Sequence, residues 1–125
     1  MKFTFFILLT LGLLFACSTP LTQSNKITDL SVAEFNTKMK EAGVVILDVR
    51  TPAETAEGTI PGAIEMNIND ADFETKIKNL DQDKTYLVYC KAGGRSSRAC
   101  SKMEEAGLSN LYNLKGGYTA WHKNN

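Results

Sequence analysis

The chain has a single histidine and three cysteines, no excess of charge of either sign, and no apolar run long enough to span a bilayer comfortably. Each shortage excludes something. With Lys plus Arg and Asp plus Glu both at 14, no overall field draws the molecule to nucleic acid or to an anionic surface, so any anion binding has to be local. The lone His122 has no evident cysteine partner, which argues against a Cys-His hydrolase, and no set of Cys and His has metal-site spacing. No metal or organic cofactor is therefore expected. No internal repeat or low-complexity block is visible. A length of 125 residues suits one core, and 43% hydrophobic with 22% charged residues is ordinary globular usage.

The N-terminus departs from that average. Met1-Lys2 is followed by an apolar stretch from Phe3 to Ala16, which as a helix reaches roughly 21 Å against a hydrocarbon core of about 30 Å. A basic start, an apolar stretch and a small final residue describe a secretory signal peptide. Leu14-Phe15-Ala16-Cys17 resembles the lipobox of bacterial lipoproteins, in which the Cys is lipidated and becomes the new N-terminus. The resemblance implies a lipoprotein signal peptide over residues 1–16, lipidation at Cys17 and an extracytoplasmic chain anchored to a bacterial membrane, on the periplasmic side or the cell surface. A plain signal peptide and a short uncleaved anchor stay open. Residues 17–26, rich in Ser, Thr, Asn and Gln, read as a flexible tether.

From residue 27 onward strand and helix patterns alternate. Ile27-Thr28 reads as a short strand. Ser31 with Glu34 makes a capping box and Leu30 with Phe35 a hydrophobic staple, so a helix is expected to about Ala42, stopped by Gly43. Val44 to Leu47 and Thr85 to Tyr89 are continuous β-branched, aliphatic and aromatic runs, the pattern of strands buried on both faces. Between them fall a short helix over Pro52 to Glu57, a turn over Gly58 to Gly62, a strand over Ala63 to Ile68, and a helix capped by Asp70 or Asp72 that carries Phe73, Ile77 and Leu80 on one face. Ser96 to Ala106 reads as a helix ended by Gly107, Leu111 to Leu114 as a last strand, and a short helix carries Trp121 as a core plug before an unstructured end at Lys123-Asn124-Asn125. The expectation is an α/β single domain over residues 27–123 with a mostly parallel central sheet flanked by helices. Ligands bind such sheets beyond the C-terminal strand ends, where Asp48 and Cys90 fall.

Cys90-Lys91-Ala92-Gly93-Gly94-Arg95-Ser96 sets a thiol between a strand and a helix N-terminus. Unpaired N–H groups of a first helical turn favour negative charge. Gly93 and Gly94 allow the loop N–H groups to converge as an anion-binding nest, and Lys91 and Arg95 add cationic charge. A thiol so placed can ionise near neutral pH and act as a nucleophile. Cys100 shares a helical stripe with Ala99 and Met103, so it is expected in the core, with Cys90 and Cys100 unpaired.

This loop resembles the active-site loop of rhodanese-like domains. Three further segments match that family in order: Leu47-Asp48-Val49-Arg50 with Glu54, then Gly58-Thr59-Ile60-Pro61-Gly62-Ala63 with Thr where the family has His, then Leu114-Lys115-Gly116-Gly117 with Ala120-Trp121. The resemblance implies a sulfurtransferase that carries sulfane sulfur as a persulfide on Cys90. A small sulfur-containing anion such as thiosulfate is the donor, and cyanide or a thiol, including one on a protein, is the acceptor. It also implies that Asp48 and Arg50 support the loop. Arg95 is the fifth residue after Cys90, a Cys-x4-Arg loop; phosphatases and arsenate-handling relatives of this fold look like Cys-x5-Arg, a wider cradle. The alternative from another class is a binding or redox-partner module that keeps the fold without the chemistry. Contact with a membrane is expected only through the lipid, and none with nucleic acid.

Overall fold

The computed structural model describes residues 27–125. The expectations for the signal peptide, for lipidation at Cys17 and for the tether lie outside the described residues. Five strands, β1 (Thr28–Leu30), β2 (Val44–Asp48), β3 (Ile64–Glu65), β4 (Thr85–Tyr89) and β5 (Leu111–Leu114), alternate with five helices, α1 (Val32–Lys38), α2 (Pro52–Thr55), α3 (Phe73–Lys78), α4 (Gly94–Glu105) and α5 (Gly117–Asn124). The strands form one parallel sheet in the order β1-β5-β4-β2-β3. This is the α/β architecture expected from the alternation of runs.

The uninterrupted apolar strands are explained by two cores, one on each face of the sheet. Successive strand side chains point to opposite faces. In β4, Tyr86 and Val88 therefore join Phe73, Ile77, Ala99, Cys100 and Met103, while Leu87 and Tyr89 join Phe35, Ile60 and Leu114. β2 divides in the same way, Leu47 to the first face and Ile46 to the second.

Local capping chemistry sets two of the helices. At α1, Ser31 Oγ accepts from the Glu34 N–H while a Glu34 carboxylate oxygen accepts from the Ser31 N–H at 2.8 Å, the expected capping box. At α2, Thr51 and Glu54 close a second box in front of Pro52.

Several boundaries differ from expectation. α1 stops at Lys38, because the next N–H groups bond three residues back rather than four, Lys40 to Thr37 and Glu41 to Lys38. β3 keeps two paired residues; beyond it the Met66 and Ile68 N–H groups still bond the carbonyls of Asp48 and Val49. Asp72 precedes α3 without a side-chain cap, since its carboxylate pairs with Lys76 at 3.1 Å. α4 begins at Gly94 rather than Ser96. The C-terminus is helical to Asn124, and Trp121 is half-buried rather than a plug, with Nε1 donating to Asn36 Oδ1 at 2.9 Å.

Candidate active site

β2 and β4 are adjacent and in register, Asp48 opposite Tyr89, so their C-terminal ends deliver Asp48 and Cys90 to one edge of the sheet. The Val49 N–H bonds the Tyr89 carbonyl at 3.0 Å and carries the pairing one step past the strands. Cys90 is 1% exposed and starts a loop that turns at Gly93 into α4. Gly93 has φ +109, a left-handed conformation that side chains rarely adopt, and this aims its N–H at the Cys90 sulfur at 3.0 Å. Gly94 has no such angle and is the first residue of the helix, so the nest depends on Gly93 and not on both glycines.

Ser96 Oγ adds a second contact at 3.3 Å from Sγ. Burial pushes the Cys90 thiol up, but hydrogen bonds from the Ser96 hydroxyl and from the Ser96, Gly93 and Ala92 N–H groups outweigh it, and the net direction is downward. The donors favour a thiolate. Cys100 has no such donors; burial pushes its thiol up to about 12, and it lies fully inside α4's packed face. Both cysteines are free.

Lys91 is exposed on the rim of the loop. Arg95, expected to add cationic charge near the thiol, points both terminal nitrogens at Glu54, each bond 2.7 Å long. The guanidinium in turn holds the Glu54 carboxyl down at about 2. Arg95 is thus a strut between α4 and α2 whose charge sits beside a compensating carboxylate.

Asp48 and Arg50 form a second, deeper pair. Arg50 donates from Nε and Nη2 to Asp48, the shortest bond being 2.6 Å, and from Nη2 to the Gly58 carbonyl at 2.7 Å. Its guanidinium carbon lies 4.2 Å from the ring centre of Tyr118 and 5.5 Å from that of Tyr89. The Tyr89 hydroxyl accepts from the Ile60 N–H at 3.0 Å, so the turn that holds Thr59 is tied to the strand leading into Cys90. His122 lies in α5 and stacks on Tyr118 at 5.6 Å.

Sequence reasoning gave three contributors no role of their own, Glu54 and Gly117 being named only within motifs. For Glu54, Thr51-x-x-Glu54 before Pro52 is itself a legible cap. Gly117 has φ +59, and a Cβ there would lie 2.5 Å from the Cys90 and Lys91 carbonyl oxygens; the absence of one lets the Tyr118 and Thr119 N–H groups bond those carbonyls at 2.7 and 3.1 Å. Asn113 receives the Ser96 hydroxyl at 2.6 Å. A polar residue inside the run Leu-Tyr-Asn-Leu was the available signal for it.

A parallel sheet of this order, with a cysteine held by loop N–H groups at the end of its middle strand, defines a rhodanese-type site. Residues 31–124 match the family model described as Rhodanese-like domain, and the chain belongs to that family. It is 37% identical over 84 residues to the thiosulfate sulfurtransferase GlpE of Pseudomonas entomophila, covering 66% of this chain and 74% of that one. It is 35% identical over 78 residues to a sulfurtransferase of Allochromatium vinosum, covering 62% and 71%. A rhodanese-related protein from Thermoplasma volcanium superposes with a TM-score of 0.68 at 30% identity, covering 78% of this chain and 92% of that one.

Proposed function

We propose that Cys90 is the sulfur carrier of this domain and takes a sulfane sulfur from thiosulfate or a similar anion. The chain is a sulfurtransferase of the rhodanese type. The observation that supports Cys90 as the carrier is the set of donors converging on its sulfur, from the Gly93 N–H and the Ser96 hydroxyl.

In the first transfer the Cys90 thiolate attacks the outer sulfur of the donor. A bond forms between Sγ and that sulfur, the sulfur–sulfur bond of thiosulfate breaks, and sulfite leaves with the electron pair. Lys91 on the rim and the loop N–H groups face the anionic donor, while the Arg95–Glu54 pair keeps the first turn of α4 in place. The persulfide is an anion held by the same N–H groups. In the second transfer cyanide or a thiol attacks the terminal sulfur and Cys90 returns as thiolate. No step needs a metal or an organic cofactor. Attachment to a membrane through lipidated Cys17, on the extracytoplasmic side, completes the reading and rests on Leu14-Phe15-Ala16-Cys17.

Intact mass of reduced protein tests the carrier. Thiosulfate is expected to add the mass of one sulfur atom, cyanide to remove it, and Cys90→Ser to take up none. Loading that persists in Cys90→Ser would refute the site. Failure of the wild type to load from any sulfane donor would leave the binding module as the better reading.

A further inference from the structure

Behind Cys90 and its donor Ser96 runs a chain of polar side chains that the sulfur-transfer steps do not use. Ser96 has one hydroxyl proton and three acceptors in range: Asn113 Oδ1 at 2.6 Å, the Gly93 carbonyl at 3.1 Å and Cys90 Sγ at 3.3 Å. The shortest contact is to Asn113, which is 5% exposed on β5. Asn113 in turn donates from Nδ2 to Asp29 Oδ1 at 2.9 Å, its register partner on β1. An ionised carboxylate only accepts, so Asp29 turns the amide nitrogen toward itself and the amide oxygen toward Ser96. That oxygen also only accepts, and it competes with sulfur for the Ser96 proton.

We propose that Asn113, oriented by Asp29, is a positioning residue for Cys90: it decides where the Ser96 proton points and thereby how readily the thiol ionises. The proposal rests on Cys90 as the sulfur carrier. While Cys90 is a thiol, its S–H donates to Ser96 Oγ and the hydroxyl donates to Asn113. When the thiol loses its proton to solvent, the hydroxyl turns from Asn113 to Sγ, and a short buried hydrogen bond is given up to support the thiolate. The relay therefore keeps Cys90 less acidic than the loop donors alone would make it. Intrinsic nucleophilicity falls as thiol acidity rises, so the same restraint keeps the thiolate reactive. The charged and titratable groups around the site are Lys91 in the loop, Arg95 and Cys100 on α4, Glu54 of α2 through Arg95, Asp48 at the end of β2 with Arg50 just beyond it, and Asp29 from β1. A change at Asn113 removes none of these charges.

The test follows iodoacetamide alkylation of Cys90 against pH in the full-length chain, read by mass on the Cys90 peptide and normalised to each variant's plateau. Asn113→Leu keeps the branched shape and the number of heavy atoms without the acceptor and is expected to lower the midpoint, with a roughly two- to tenfold larger thiolate fraction on the acid side, the size of one hydrogen bond. Ser96→Ala is expected to raise the midpoint, and in that background Asn113→Leu should have no effect. Asp29→Asn, at an exposed position, should lower the midpoint by a smaller amount that survives about 1 M salt, where a through-space charge effect is screened. An unchanged midpoint in folded Asn113→Leu overturns the proposal, as does an equal shift without Ser96. Should Asn113→Leu fail to fold, Asp29→Asn decides alone: no shift, or one that salt abolishes, overturns it. Thiosulfate loading is measured in parallel. Wild-type loading with unmoved midpoints removes the relay only, whereas absent wild-type loading removes the carrier role and leaves the titration result standing.

Discussion

Glu54 closes the cap of α2 with Thr51 and ties α2 to the first turn of α4 through Arg95. The Arg95 guanidinium holds its carboxyl at about 2 against an ordinary 4.5, so the stabilisation is complete above pH 4.5 and is lost as pH falls toward 2. The pair is a quarter exposed, so solvent screening reduces its worth, and Glu54→Gln is expected to cost about 1 to 2 kcal/mol at neutral pH. Urea denaturation at several pH values checks this. The gap between variant and wild type should close below pH 4.5, and a gap constant down to pH 2 would contradict the pairing. Cys100 has a different character. Cys100→Ser should still load sulfur from thiosulfate, with a loss of about 1 to 3 kcal/mol if the buried hydroxyl gains no partner.

Among the elements, α5 supports the active loop although it carries no reacting group. Its first N–H groups bond the Cys90 and Lys91 carbonyls because Gly117 brings its backbone against them without a Cβ. In Gly117→Ala the left-handed angle costs about 1 to 2 kcal/mol and the overlap with the two carbonyls adds to that, so both the melting temperature and the rate of sulfur loading should fall. Gly94→Ala is the contrasting case. A Cβ there meets nothing within 4 Å and the position is already helical, so stability should hold or rise slightly. Equal damage from the two substitutions, seen in paired melts and loading assays, would contradict the contrast between the close Gly117 contact and the open helical position of Gly94.

For the whole molecule, the strand order β1-β5-β4-β2-β3 puts β4 in the middle and gathers the C-terminal ends of β2, β4 and β5 around Cys90. No helix among the described residues is long and apolar enough to cross a membrane. The proposed anchoring is through Cys17 and its acyl chains, two or more of which give stable attachment where one gives marginal binding. Cys17→Ala should abolish incorporation of labelled fatty acid and move the protein from the membrane fraction to the soluble one. Unlabelled wild-type protein cleaved at another bond would refute lipidation.

What the amino-acid order determined by itself was whatever depends on near neighbours. The buried runs of β2 and β4, the Ser31–Glu34 cap and the placing of a cysteine between a strand and a Gly-rich helix start all follow from periodicity and capping chemistry within a few residues. The class of fold followed from the alternation of those pieces. Contacts between distant residues were decided only by the tertiary structure. Arg95 meets Glu54 across 41 positions, and Asp29 meets Asn113 across 84, because the sheet sets β1 beside β5 and α2 within reach of α4. Helix ends and the short β3 escaped for a related reason, since packing and ladder geometry set them after propensity had allowed several lengths. A side chain's type announces which bonds it can make; strand order and register decide which partner stands within 3 Å of it.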